Sequence, residues 1–215
     1  LKTADLVLDA AEGLVQTRGF NGFSYADVSA QVGITKASLH YHFPNKADLG
    51  RALIDRYSAR FGAALGLIAG GQAGALARLE AYAQLYVDVL AAGRMCLCGM
   101  LAAEHATLPA PMQRAIRSFF GASEDWLANV LEQGRAQGEL AFPGEAREAA
   151  RLWIATLEGA LLLARSYGEP SRLTAAIRRS LGELTSRERI SIRPRRSTPT
   201  ESTRAASSSP RRKRR

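Results

Sequence analysis

An all-α protein is what this sequence predicts, on three observations. Apolar residues recur at three- and four-residue spacing through nearly all of positions 1–185. The pattern breaks where Gly or Pro stands, at Gly19, Gly33, Pro44, Gly70-Gly71, Gly93, Pro109 and Pro143. No stretch shows the alternation of a half-buried strand. Nine helices are expected, with no internal repeat.

Leu6, Val7, Ala10, Ala11, Leu14 and Val15 share one helical face, and that helix ends at Gly19. Ser24 and Asp27 have the spacing of a capping box, which starts a second short helix carrying Val28 and Val32. Gly33 is free to take the left-handed conformation that ends a helix. Thr35 then caps a third helix running from Lys36 to His42. Leu14, Phe20, Val28, Val32, Ile34, Leu39 and Phe43 are expected to close a small core between the three. A bundle of this size is marginal alone and must lean on the next helix. Asn45 opens that fourth helix, with Leu49, Leu53, Tyr57, Phe61 and Leu65 on one side. Further helices are read over 73–92, 95–106, 111–137, 145–167 and 171–184.

The charge is unevenly placed. The 215 residues carry a formal net charge of +9, but from Ser186 onward 11 Lys+Arg face 2 Asp+Glu, leaving 18 of each sign in the rest. The body is therefore neutral. Residues 186–215, rich in Ser, Thr, Pro and Arg, cannot bury enough surface to offset their ordering entropy and are expected to form a disordered basic tail. No apolar run approaches a membrane span. With only two cysteines, Cys96 and Cys98, too close together to staple a fold, a reducing, cytoplasmic compartment is expected. No paired carboxylates in a motif context, Ser/His/Asp arrangement or phosphate loop is present, so no enzyme, cofactor or catalytic residue is expected. His40 and His42 are two residues apart, on diverging sides of a helix, and no metal site is expected.

Helix, short Gly turn, helix is the geometry of a DNA-reading unit. Leu39 and Phe43 point inward, which leaves Lys36, Ala37, His40 and Tyr41 outward. Lys36 suits guanine edges or phosphates, and Ala37 is small enough for a thymine methyl. Tyr41, His42 and Lys46 suit phosphate oxygens. With Ser24, Tyr25, Thr35 and Ser38, these residues make up the expected DNA-binding set.

The stretch GITKASLHYHFPNKADL resembles the signature of the TetR/AcrR family of bacterial transcriptional regulators. The resemblance covers about the first 50 residues, and the nine-helix layout agrees with it. His40 stands where that signature usually has Tyr, and Ser29 where Ala is usual. MCLCGMLAAE, residues 95–104, is similar to a segment of one subgroup. The resemblance implies a DNA-binding domain over 1–46, an effector-binding and dimerisation domain over 47–185, and a homodimer that binds a pseudo-palindromic double-stranded operator. A small-molecule effector would tilt the fourth helix and move the two reading heads apart.

For the body, Tyr82, Tyr86, Cys96, Met100, His105, Phe119, Phe120, Trp126, Trp153 and Leu157 are the candidates to line an apolar effector pocket with a few polar groups. As a set they suggest a hydrophobic or aromatic effector. Thr156, Gly159, Ala160 and Leu163, with Ile177 and Leu181, offer small and apolar faces for a dimer interface on the last two helices. A thiol-based redox regulator signalling through Cys96 is the alternative.

Overall fold

The computed structural model describes residues 2–71 and 74–185; the predicted basic tail lies outside the described residues. Among the described residues there are nine α-helices and no strand. They are α1 (Thr3–Arg18), α2 (Tyr25–Val32), α3 (Lys36–His42), α4 (Lys46–Gly70), α5 (Ala75–Ala91), α6 (Leu97–Ala103), α7 (Ala110–Ala136), α8 (Ala146–Tyr167) and α9 (Ser171–Thr185), with a 3₁₀ turn at His105–Thr107. None is long and apolar enough to cross a membrane.

The predicted punctuation holds at the turns that matter. Gly33 ends α2 with φ 76° and ψ 32°, a left-handed conformation that an L side chain enters only with strain. Asn45 starts α4 by accepting from Asp48 N–H at 2.9 Å while its amide donates to the Asp48 carboxylate at 2.7 Å. The predicted α1–α3 core forms, with Leu14, Phe20, Val28, Leu39 and Phe43 buried and Val32 and Ile34 partly so. Leu6, expected on the inner face of α1, is exposed instead. The long fourth pattern begins to supply the missing support: Leu49 and Leu53 are fully buried, each removing apolar surface worth about 1.5–3 kcal/mol.

Two polar junctions fix the first three helices to the body. On one side Arg56 of α4 bonds Asp9 at 2.8 Å and Glu12 at 3.0 Å, and Arg60 also reaches Glu12. On the other, the Glu104 carboxylate at the end of α6 accepts from the backbone N–H groups of Phe20 at 2.6 Å and Asn21 at 3.0 Å. A Cβ on Gly19 would stand 2.9 Å from that carboxylate, so the turn after α1 is shaped around it. Arg165 of α8 adds bonds to the carbonyls of Gln16 and Thr17. Within the body, Gly50 lets α4 approach Met112 of α7, where a Cβ would fall 2.5 Å from the methionine methyl. The body then packs α7 on α4, α5 and α8, and α9 closes over α5 and α8.

Candidate nucleic-acid interface and body cleft

The reading unit is held from within. Thr35 accepts from Ser38 N–H at 3.1 Å and starts α3, and Leu39 fixes its buried side. Asp27 accepts from the N–H of Ser24 at 2.7 Å and from its hydroxyl at 2.6 Å; those hydrogen bonds hold the carboxyl below its ordinary range. Thr35, Lys36, Ala37, His40 and Tyr41 are exposed, and Ser38 and His42 are partly so. Tyr41 is 84% exposed, an unusual position for a large aromatic side chain, with the His42 ring beside it at 5.3 Å. His40 is exposed but anchored: its Nδ1 lies 3.1 Å from the Pro44 carbonyl, and its ring leans on Tyr25 at 4.8 Å.

Two residues expected on the DNA face are turned inward. The Tyr25 hydroxyl donates to the Phe43 carbonyl at 2.8 Å and joins α2 to the end of α3. Burial, with the Asp48 carboxylate nearby, pushes it up to about 12. Lys46 folds under the turn between α1 and α2, where its ammonium donates to the carbonyls of Phe20 at 2.5 Å and of Phe23. It also lies 4.7 and 4.3 Å from their ring centroids. Burial lowers its pKa, opposed by the carboxylates of Glu104 and Asp27. The physical reason for both placements is the same. Phe20, Phe43 and their neighbours leave carbonyls that no helix satisfies, and a buried carbonyl draws the nearest donor.

In the body, the ten residues expected around an effector do not share one cavity. Tyr82, Tyr86, Cys96, Phe119, Trp153 and Leu157 are buried core, and Met100, Phe120 and Trp126 pack against it. His105 sits exposed in the 3₁₀ turn, on the surface. Tyr86 and Cys96 meet at a gap of only about 10 Å³, room for about one water. The open space lies elsewhere. A cleft of about 260 Å³ runs between α4 and α7, and Phe119 is the one predicted residue that lines it. Its α4 wall is Arg51, Asp55, Ser58, Gly62 and Leu65, a stripe at helical spacing, with Phe61 beside it. Small residues of α7, among them Ala115, Ser118 and Ala122, face that stripe. A search of the sequence for large apolar side chains passes over these residues because they are polar or small. Their signal in the sequence is the lack of bulk at Gly62, Ala115 and Ala122, about one turn or less from Phe61 and Phe119.

Behind the cleft the aromatic rings form a continuous layer. Phe61 lies 5.1 Å from Phe119 and 5.7 Å from Tyr82, which stacks on Trp126 at 5.8 Å. Deeper still, the Tyr57 hydroxyl donates to the Cys96 sulfur at 3.8 Å, and Tyr86 donates to Glu158 at 3.3 Å. Burial, with the Glu158 carboxyl close by, pushes both thiols well above their ordinary range. A protonated, enclosed thiol is a poor nucleophile, which counts against signalling through Cys96.

The dimer candidates divide as well. Gly159 and Leu163 are exposed, Thr156 and Ala160 half-buried, and Ile177 and Leu181 pack partly against the chain's own core. Exposed Leu152 and Leu162 extend the apolar face of α8.

Comparison with known proteins agrees with this architecture. Residues 7–53 match the family described as bacterial regulatory proteins, tetR family, and residues 75–180 match a tetracyclin repressor-like C-terminal domain. The crystal structure of a TetR-family transcriptional regulator from Agrobacterium tumefaciens superposes with a TM-score of 0.83 at 37% identity, over 86% of this chain and 98% of that one. The transcriptional regulator AcuR of Cereibacter sphaeroides is 28% identical over 163 residues, 73% of each chain. The HTH-type transcriptional repressor NemR of Escherichia coli is 28% identical over 167 residues, 76% of this chain and 84% of that protein.

Proposed function

The chain belongs to the TetR family of DNA-binding transcriptional regulators, and within that family we propose that it is a homodimeric cytoplasmic repressor whose operator is released when a small molecule binds the body. The observation that carries this reading is the exposed face of α3. Lys36, Ala37 and Tyr41 stand free on a helix whose opposite side is locked by Leu39. Such a face has the donors and the flat aromatic surface that a major groove and its phosphates accept.

One reading head spans one half-site, so two heads are needed for a pseudo-palindromic operator. The outer face of α8 supports a second copy. Leu152 is 67% exposed, and Leu162 and Leu163 more than half, around Gly159, where a Cβ would meet nothing within 4 Å. A contiguous apolar face of this kind marks an interaction surface. A division at residue 46 makes α4 the link between the two domains: it follows α3 after three residues, forms one wall of the cleft, and is clamped to α1 through Arg56 and Arg60. An effector that separates α4 from α7 therefore moves the reading head. Release requires that the effector bind the DNA-incompatible arrangement more tightly than the DNA-bound one.

Selection of double-stranded fragments from a random library by the full chain, followed by footprinting and mass measurement of the complex, tests this. Two protected half-sites, about one helical turn or a multiple apart and bound by two protomers, are expected. A monomer bound to a single half-site would overturn the dimeric reading, and recovery of no preferred sequence would overturn the repressor reading.

A further inference from the structure

We propose that the α4–α7 cleft takes an amphipathic carboxylate, its apolar body lying along Phe61, Leu65 and Phe119 and its anionic head held by Arg114 with help from Arg51. This rests on the ligand-responsive reading above and gives that ligand a site and a chemical class.

The charge of the cleft comes from one end. Gly50 and Met112 are in contact where α4 and α7 begin, so Arg51 and Arg114 lie at the same, DNA-proximal end. Arg51 uses its Nε–H on Asp55, 2.9 Å from each carboxylate oxygen, which leaves its terminal N–H groups available. The Arg114 side chain makes no hydrogen bond or ion pair among the described residues. Two guanidinium groups against one carboxylate leave the end with one uncompensated positive charge. An arginine fork matches a carboxylate with two parallel hydrogen bonds, a geometry that a lone cation or a neutral amide cannot supply.

The rest of the cleft sets the body of the ligand. Its surface is mainly apolar, from aromatic rings and the small side chains of α7. A volume of about 260 Å³ exceeds the roughly 150 Å³ that holds a benzene ring. A fused bicyclic or medium-chain acid fits that space. The location also gives the ligand its leverage. Its head bridges α4 and α7 at the end nearest α3, where a small change in spacing is passed directly to the reading helix.

The probes are 2-naphthoate, its uncharged amide 2-naphthamide and the cation 2-naphthylmethylammonium, titrated calorimetrically into the full chain. Naphthoate is expected to bind at least tenfold more tightly than the amide, and the ammonium not at all. Arg114→Ala is expected to lower naphthoate affinity about tenfold and leave the amide unchanged. Gly62→Leu places a side chain in open space, so the fold survives, and it should abolish binding of both while operator affinity is retained. Equal binding of acid and ammonium, no effect of Arg114→Ala, or no binding at all would overturn the proposal. If naphthoate binds as expected but leaves operator affinity unchanged at saturation, the cleft assignment stands and the release reading falls. If some other compound still releases operator from the Gly62→Leu variant, the release reading stands and the cleft is not its site.

Discussion

In the reading unit, polar groups at the helix ends and turns are tied: Tyr25 to the Phe43 carbonyl, Lys46 to the Phe20 carbonyl, Asp27 to Ser24, and Thr35 to Ser38, while the buried Ser29 hydroxyl has no partner among the described residues. Along the α4–α7 cleft the opposite holds, since Gly62 and Ala122 leave space beside aromatic rings and Arg114 has no ion-pair partner among the described residues. A unit braced in this way keeps its outward side chains in one arrangement, so recognition of DNA costs little ordering. A cleft built from small residues has room to change its width. The pairing of a stiff head with an adaptable body, linked through α4 and through the Glu104 and Arg165 contacts, is what a ligand-controlled DNA switch requires.

The largest effect is expected where the stiff head meets DNA. Replacing both Lys36 and Tyr41 by Ala should weaken operator binding by about 10²-fold, from contacts worth roughly 1–3 kcal/mol each. The midpoint of thermal unfolding should stay within a degree or two, because neither side chain supports the core. Fluorescence anisotropy with labelled operator measures the first and calorimetry the second. Unchanged affinity would remove α3 from the groove.

A smaller effect separates bracing from DNA contact. Lys46→Met keeps the stem over the two phenyl rings and deletes the ammonium that serves two carbonyls. Unsatisfied buried carbonyls cost about 1–3 kcal/mol, so the urea midpoint should fall. The slope of log affinity against log salt should not change, whereas loss of a phosphate contact would reduce it by about 1. A reduced slope with unaltered stability would return Lys46 to the DNA face.

The same contrast explains what is legible in the sequence. Caps and turns act between residues three or four apart, so Ser24 with Asp27, Thr35 with Ser38, and Gly33 are visible as strings of letters. The family signature around Gly33–Lys46 is local in the same way. The partners of Tyr25 and Lys46 lie about 20 residues off and are backbone carbonyls, which no side-chain pattern reveals. The cleft is harder still. Its walls are roughly 50 to 70 residues apart, and a cavity is defined by what is missing, whereas a list of large apolar residues such as Tyr82, Trp153 and Leu157 finds the filled core. Glu104 shows the same limit: as a string of letters Glu104-His105 is either a pair of polar groups for a pocket or a surface pair, yet Glu104 caps the turn after α1 from 83 and 84 residues away.

The finest test sets one carboxyl of the head against one of the body. Asp27 is held below its ordinary value by hydrogen bonds from Ser24, so it contributes stability that is present above pH 3.8 and lost as pH falls through its folded value. Glu158 is raised above its ordinary 4.5 by burial, against hydrogen bonds from Cys96 and Tyr86 that pull it down. The native state then binds the proton more tightly than the unfolded chain does. Its contribution is full below about pH 4.5 and declines as pH rises through the folded value. Urea unfolding between pH 3 and 8 should therefore separate two variants. Asp27→Asn should flatten the acid side of the profile. Glu158→Gln, whose amide still accepts from Tyr86, should flatten the decline above pH 4.5 and leave the protein more stable than the parent at pH 7. Parallel profiles for Glu158→Gln and the parent would mean that the carboxyl is better solvated than its position between Cys96 and Tyr86 implies, and the body would then be open to water on that side as well as at the cleft.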